Sequence, residues 1–134
     1  MATRGNGIQS VGSAPPQLSW TLVRGDTPAF KVYVTDDAKQ PLNIPDWTID
    51  MEIKRPTNSS DAGIITDNAT IITTLTPTQD ADDAAGEFTV KLTASQSTLL
   101  ETGDIFDIEL SLPQNETVWT VAQGSITVIE DVTN

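Results

Sequence analysis

Four segments of this chain repeat with a period of two. Phe30, Val32 and Val34 alternate with Lys31, Tyr33 and Thr35, and Ile49, Met51 and Ile53 alternate with Asp50, Glu52 and Lys54. Phe88, Val90 and Leu92 alternate with Glu87, Thr89 and Lys91, and Phe106, Ile108, Leu110 and Leu112 with Asp107, Glu109 and Ser111. Successive side chains of a strand point to opposite faces, so each segment predicts a strand with one buried and one wet face. The apolar members, from Phe30 to Leu110, form the predicted core, with Trp47 and Trp119 filling it.

The remaining segments agree with this pattern. The threonine-rich stretches GIITD and ATIITTLT predict one or two further strands. The last strand lies in VWTVAQGSITVIED, where Gly124 predicts a bulge or bend. DDAKQP, RPTNSSDAG, DADDAAG and LPQNET are polar turn clusters between strands. Only SQSTLLE, residues 95–101, reads as helical, capped by Ser95 or Ser97 and ended by Thr102-Gly103. No segment is long enough to supply the crossover helices of a parallel sheet. The expected fold is all-β: an immunoglobulin-like antiparallel β-sandwich of about seven strands with one short helix and an extended N-terminal arm. The arm spans 1–19 and the sandwich 20–134. Residues 1–17 carry Gly5, Gly7, Gly12, Pro15 and Pro16 and too few apolar side chains to fold alone.

Composition narrows the function. The 134 residues are one domain's worth, able to bury roughly two thirds of the unfolded surface. There is no cysteine, so disulfides, zinc-thiolate sites and thiol nucleophiles are excluded. There is no histidine, which removes the commonest general base and metal ligand. With 19 acidic and 7 basic residues the net charge is −12, a surface that repels nucleic-acid phosphates and anionic lipid. The N-terminus MATRGNGIQSVGSAPPQ lacks the apolar stretch of a secretory signal, which predicts folding in a cytoplasm. On that reading the sequons at Asn58, Asn68 and Asn115 are chance matches.

Three clusters invite a chemical reading, and each has a plainer one. Asp80-Ala81-Asp82-Asp83 departs from a calcium loop, because Ala84 and Ala85 stand where a ligand and a glycine belong. It reads as a solvated acidic turn, as does Asp36-Asp37, so no metal is expected. Asp107 and Glu109 share one face of a strand, roughly 7 Å apart. A glycosidase needs two such carboxylates across a cleft with aromatic walls, and the chain has seven aromatic residues in all. No enzyme and no cofactor are expected. Arg24-Gly25-Asp26 matches an adhesion tripeptide, but strands flank it on both sides. Gly25 supplies the positive φ of a tight turn, and Asp26 can bond backbone amides two residues on. The tripeptide is expected to be a corner between strands.

From this corner onward a series of marks follows in order. Arg24-Gly25-Asp26-Thr27 opens a strand, and Asp36-Asp37 and Gln40-Pro41-Leu42-Asn43-Ile44 come next. Then come the strand Trp47 to Lys54, Leu92-Thr93-Ala94 through Leu99-Leu100 with Gly103-Asp104, and Asp107-Ile108-Glu109-Leu110. Gln123-Gly124-Ser125-Ile126-Thr127-Val128 and Asp131-Val132-Thr133 close the series. In this order they resemble the small β-sandwich domain of tailed-phage virion proteins, best known as the N-terminal domain of baseplate upper (receptor-binding-platform) proteins. The resemblance covers residues 20–133. Those proteins continue into a long receptor-binding region, whereas this chain stops at Asn134, so the docking module alone is expected.

The resemblance implies a non-enzymatic structural protein of a virion assembled in the host cytoplasm. It would dock in the tail, baseplate or fibre attachment region, anchored through its arm. The arm's anchors are expected to be Ile8, Val11, Pro15 and Pro16, with Leu18 and Trp20 at its root, packed on another subunit. The implied partners are other virion proteins and further copies of the chain in a symmetric assembly, not nucleic acid or membrane. Capsid decoration (cement) is the alternative position. A soluble carbohydrate- or cell-binding module is the alternative from another class and requires an exposed aromatic platform.

Overall fold

The computed structural model describes residues 15–34, 48–77, 86–112 and 117–130. Seven strands lie among them: β1 (Gln17–Val23), β2 (Ala29–Tyr33), β3 (Thr48–Pro56), β4 (Ala69–Leu75), β5 (Glu87–Lys91), β6 (Ile105–Leu112) and β7 (Thr117–Ile129). One short helix, α1 (Ala94–Thr98), joins β5 to β6, and a single 3-10 turn at Ser59–Asp61 follows β3.

The strands form a five-stranded sheet in the order β1-β7-β6-β3-β4 and a two-stranded sheet β2-β5. Their inner faces share one core, in which Phe88 and Val90 of β5 meet Met51, Ile53, Phe106 and Ile108 of the larger sheet. The molecule is an immunoglobulin-like β-sandwich, with sequence neighbours β1 and β2, and again β5 and β6, on opposite sheets. The period-two segments take the expected faces. Ile49, Met51, Ile53, Phe88, Val90, Leu92, Phe106, Ile108 and Leu110 are buried, and Phe30 and Val32 pack against them half-buried. Each such burial stabilises by about 1.5–3 kcal/mol. Trp119 is buried as expected, and Trp47 lies outside the described residues.

Three local expectations are corrected. First, the β1–β7 pair is parallel, with Gln17 opposite Gln123 and Val23 opposite Ile129, whereas every other pair is antiparallel. β1 turns into the other sheet instead of forming a hairpin, and nearly the whole chain serves as its crossover to β7. Second, the bulge in β7 is at Val121, not Gly124: the register against β6 skips it, so Val121 and Ala122 are consecutive and both buried. Gly124 answers a different need. A Cβ there would overlap the Leu18 carbonyl oxygen, so glycine is what lets β1 lie against β7. Third, α1 spans Ala94–Thr98 instead of 95–101 and is not capped by Ser95 or Ser97. Thr93 is its cap, with Thr93 Oγ1 accepting from Gln96 N and Gln96 Oε1 accepting from Thr93 N, a capping box. The threonine-rich stretches supply one strand, β4, within the one or two expected, and residues 63–67 are not a strand.

Candidate functional site

The expected arm residues fall into two groups. Ile8 and Val11 lie outside the described residues. Pro15, Pro16, Leu18 and Trp20 are described, and β1 begins at Gln17, so Leu18 is part of the sheet and not of an arm. Trp20 packs within its own chain. Its ring stands edge-on to Phe30 at 4.7 Å and to Phe106 at 6.3 Å, within the core of its own domain. The reason is phase: Trp20 alternates inward with Leu22, which is buried. Leu18 has the same phase but remains 37% exposed, because the sandwich opens at this end.

That opening is a groove of about 480 Å³ between β1 and β2. Pro16 and Leu18 wall one side, Phe30 and Val32 the other, with Val121 and Ala122 buried at its base. The bulge at Val121 is what turns two consecutive apolar residues toward this seam. Pro16 is fixed at the rim: its carbonyl accepts from Gln123 N at 3.2 Å. The N-terminal segment therefore enters the fold beside an apolar groove.

The Arg-Gly-Asp corner follows the other end of β1 and is bonded to atoms of its own chain. Gly25 has φ +91°, the positive value expected of it. Asp26 N donates to the Val23 carbonyl, closing a tight turn. The backbone of Asp26, not the expected carboxylate, holds the corner. Gly25 N donates to Ser97 Oγ, which lies 2.9 Å from the Asp26 carbonyl oxygen and is fully buried in α1. The Arg24 guanidinium donates to the Thr98 and Leu100 carbonyls and reaches the Glu130 carboxylate. A second arginine completes the set. Arg55 donates to the Leu99 carbonyl and grips buried Asp104 with two bonds of 2.8 and 3.0 Å. Three successive carbonyls that α1 leaves open at its C-terminal end are thus capped by two guanidinium groups. Asp104 also accepts from Glu101 N, and its hydrogen bond holds the Arg55 pKa above its ordinary value. The corner spends the Arg24 side chain and the Gly25 and Asp26 backbones on the fold, while Gly25 and Asp26 remain exposed.

The outer face of the large sheet carries the other charge cluster. Asp50 is directly opposite Glu109 and Glu52 opposite Asp107, so four carboxylates form a ladder across β3 and β6. Lys54 approaches Glu52 at 3.4 Å. Asp107 is pushed above its ordinary pKa, first by burial and then by Glu52, against the pull of Lys54. Glu109 is raised too, first by burial and then by Asp107, Glu52 and Asp50. Thr74 and Thr76 border the ladder, which is a shallow polar dish without aromatic walls. Among the described residues no group of acidic side chains has the geometry to hold a metal ion, and the acidic clusters at 36–37 and 80–83 lie outside them. Among the described residues no helix is long and apolar enough to cross a membrane.

The two arginine caps were beyond sequence reasoning, since their partners lie 106 and 49 positions away. The groove had a signal: in VWTVAQGSITV the apolar phase passes from Trp119 and Val121 to Ala122, Ile126 and Val128. No protein-family model matches the chain, and no curated protein is significantly similar to it.

Proposed function

We propose that this chain is a non-enzymatic structural protein of a tailed-phage virion. It is a docking module of the tail, baseplate or fibre attachment region, held through its N-terminal segment. The observation that carries this reading is the course of β1. The strand that continues the N-terminal segment is zipped along β7 at the sheet edge and borders an apolar groove. A segment rooted in this way is rigidly joined to the body, and pulling on it loads seven residue pairs of the sheet at once. The ordered series of marks shared with phage virion β-sandwich domains supports the choice of assembly. So does the engagement of the Arg24 side chain by the Thr98 and Leu100 carbonyls and Glu130, which ties that residue of the tripeptide to the fold. Partners in this reading are other virion proteins and further copies of the chain.

The test is mass spectrometry of purified particles from the phage that encodes the chain, with immunogold labelling to place it. Stoichiometric presence at the tail or baseplate supports the reading. Labelling over the capsid moves it to decoration. A chain made during infection but missing from the particles ends it.

A further inference from the structure

We infer that the free edge of β1 is a self-association surface, at which a second copy of this chain adds its own β1 antiparallel across a two-fold axis. The pairing does not depend on which assembly the protein joins. Three observations carry it.

The first is the direction of the β1 backbone groups. Gln123 N donates to the Pro16 carbonyl at one end of the β1–β7 seam, and Arg24 N donates to the Ile129 carbonyl at the other. In a parallel ladder one residue turns both of its backbone polar groups to one side and the next turns both to the other. The even-numbered residues of β1 therefore bond β7. Gln17, Ser19, Thr21 and Val23 turn their N–H and C=O groups to the opposite edge. Gln17, Ser19 and Thr21 are exposed, and among the described residues no strand pairs with β1 there. Among the described residues only the Val23 carbonyl of this set has a partner, Asp26 N.

The second is charge. Edge strands are ordinarily guarded against pairing by charged side chains, proline, bulges or shortness. β1 runs for seven residues in unbroken register with no charge and no proline. The other edge of the sheet is guarded: β4 is bulged at Ile72, and its Thr74 adjoins Glu52 of the carboxylate ladder. The chain carries a net charge of −12, yet no residue of β1 or β7 is charged. Two copies of so acidic a chain repel each other over most approaches, and at β1 they meet without setting carboxylate against carboxylate.

The third is the edge read against itself. With Trp20 on the two-fold axis, Ser19 stands opposite Thr21 of the second copy and Gln17 opposite its Val23, and these residues turn their free backbone groups toward one another. Ser and Thr directly opposite also hydrogen-bond through their hydroxyls. On the inner face Leu18, 37% exposed in the single chain, comes opposite Leu22 of the second copy. Both copies contribute the same segment, as an isologous contact requires.

The test uses the full chain in solution. Sedimentation equilibrium should show a monomer–dimer equilibrium. Amide exchange at Ser19 and Thr21 should slow as concentration rises, while Trp20 and Leu22, already bonded to β7, keep their rates. The paired substitution Ser19→Glu and Thr21→Glu sets like charges directly opposite across the axis. It should weaken pairing about tenfold or more. The melting curve of the monomer should be unchanged, because both positions are exposed. The counterpart Ser19→Lys and Thr21→Lys should also pair poorly with itself, and an equal mixture of the two variants should recover the dimer. A parent chain that stays monomeric at its highest soluble concentration overturns the proposal. So does a dimer that the glutamate variant leaves at full strength, one whose Ser19 and Thr21 amides exchange freely, or a mixture that recovers nothing. A chain present in particles yet monomeric in solution sinks this inference and leaves the virion reading standing. One that pairs through β1 but is missing from particles does the reverse.

Discussion

Around α1, the two arginines meet opposite charges and carbonyl oxygens, whereas on the outer face of β3 and β6 carboxylates meet each other. Arg24 and Arg55 cap three successive carbonyls and close on Glu130 and Asp104. Asp50, Glu52, Asp107 and Glu109 face one another with Lys54 beside them. Both clusters sit on the same sandwich, and the inner faces of β3 and β6 are fully apolar in either case. The difference shows which polar groups the fold depends on. The α1 cluster fixes a non-repetitive connection that hydrophobic alternation cannot specify. The ladder is a cost carried by a face whose strands are already held by their buried sides.

The sharpest way to break the comparison is to remove the arginine that faces the buried acid. Asp104 is 1% exposed, and Arg55 supplies two of its hydrogen bonds. Arg55→Met keeps the aliphatic stem but strands a buried carboxylate, which costs about 3–5 kcal/mol. Chemical denaturation should show that loss. A change below about 1 kcal/mol would mean the α1 cluster is no more important than an exposed ion pair.

The corner gives the next largest effect. A Cβ at Gly25 meets nothing within 4 Å, so Gly25→Val is opposed by backbone conformation alone. Holding a β-branched residue at φ +91° costs about 1–2 kcal/mol. Gly25→Asn should lose less, because Asn tolerates this region better. Equal losses for the two would point to a clash instead of strain. A third change, Glu130→Gln, removes a bidentate but largely exposed partner of Arg24. It should cost about 1 kcal/mol at low salt and less at high salt, as screening predicts.

How much of this was legible follows from the range of each interaction. Met51, Ile53, Phe106 and Ile108 could be assigned inward because a strand reports its faces through its own neighbours. Gly25 could be assigned to a corner because its flanks are strands and its lack of a side chain is local information. Thr93 and Gln96 carried an equally local signal, the T-x-x-Q spacing, which a search for serine caps passes over. The parallel seat of β1 was not legible. It depends on Gly124 accepting the Leu18 backbone, a fact about two strands separated by most of the chain. The groove followed from that seat, so the candidate site was only half visible: its base in the change of apolar phase at Val121 and Ala122, its walls not at all.

The smallest expected effect has the opposite sign. Asp107 sits across from Glu52, and like charges directly opposite on a sheet are destabilising. Asp107→Asn keeps the shape and removes one charge, so it should raise stability at pH 7 by roughly a few tenths of a kcal/mol. The pH dependence tests the cause. Burial and neighbouring acids raise the Asp107 and Glu109 pKa values above the ordinary 3.8 and 4.5. The folded chain therefore holds these protons more tightly than the unfolded chain. Between the raised and the ordinary values it binds more protons, so this contribution to stability falls as pH rises and is relieved on acidification. The advantage of Asp107→Asn over the parent should be full at neutral pH. It should shrink as pH is lowered through the raised values, because the parent then protonates Asp107 for itself. Paired melting curves at neutral and mildly acidic pH would show this convergence. An advantage that stays constant, or grows on acidification, would mean that the ladder's charges are already screened by solvent. The contrast with the α1 cluster would then be one of burial alone.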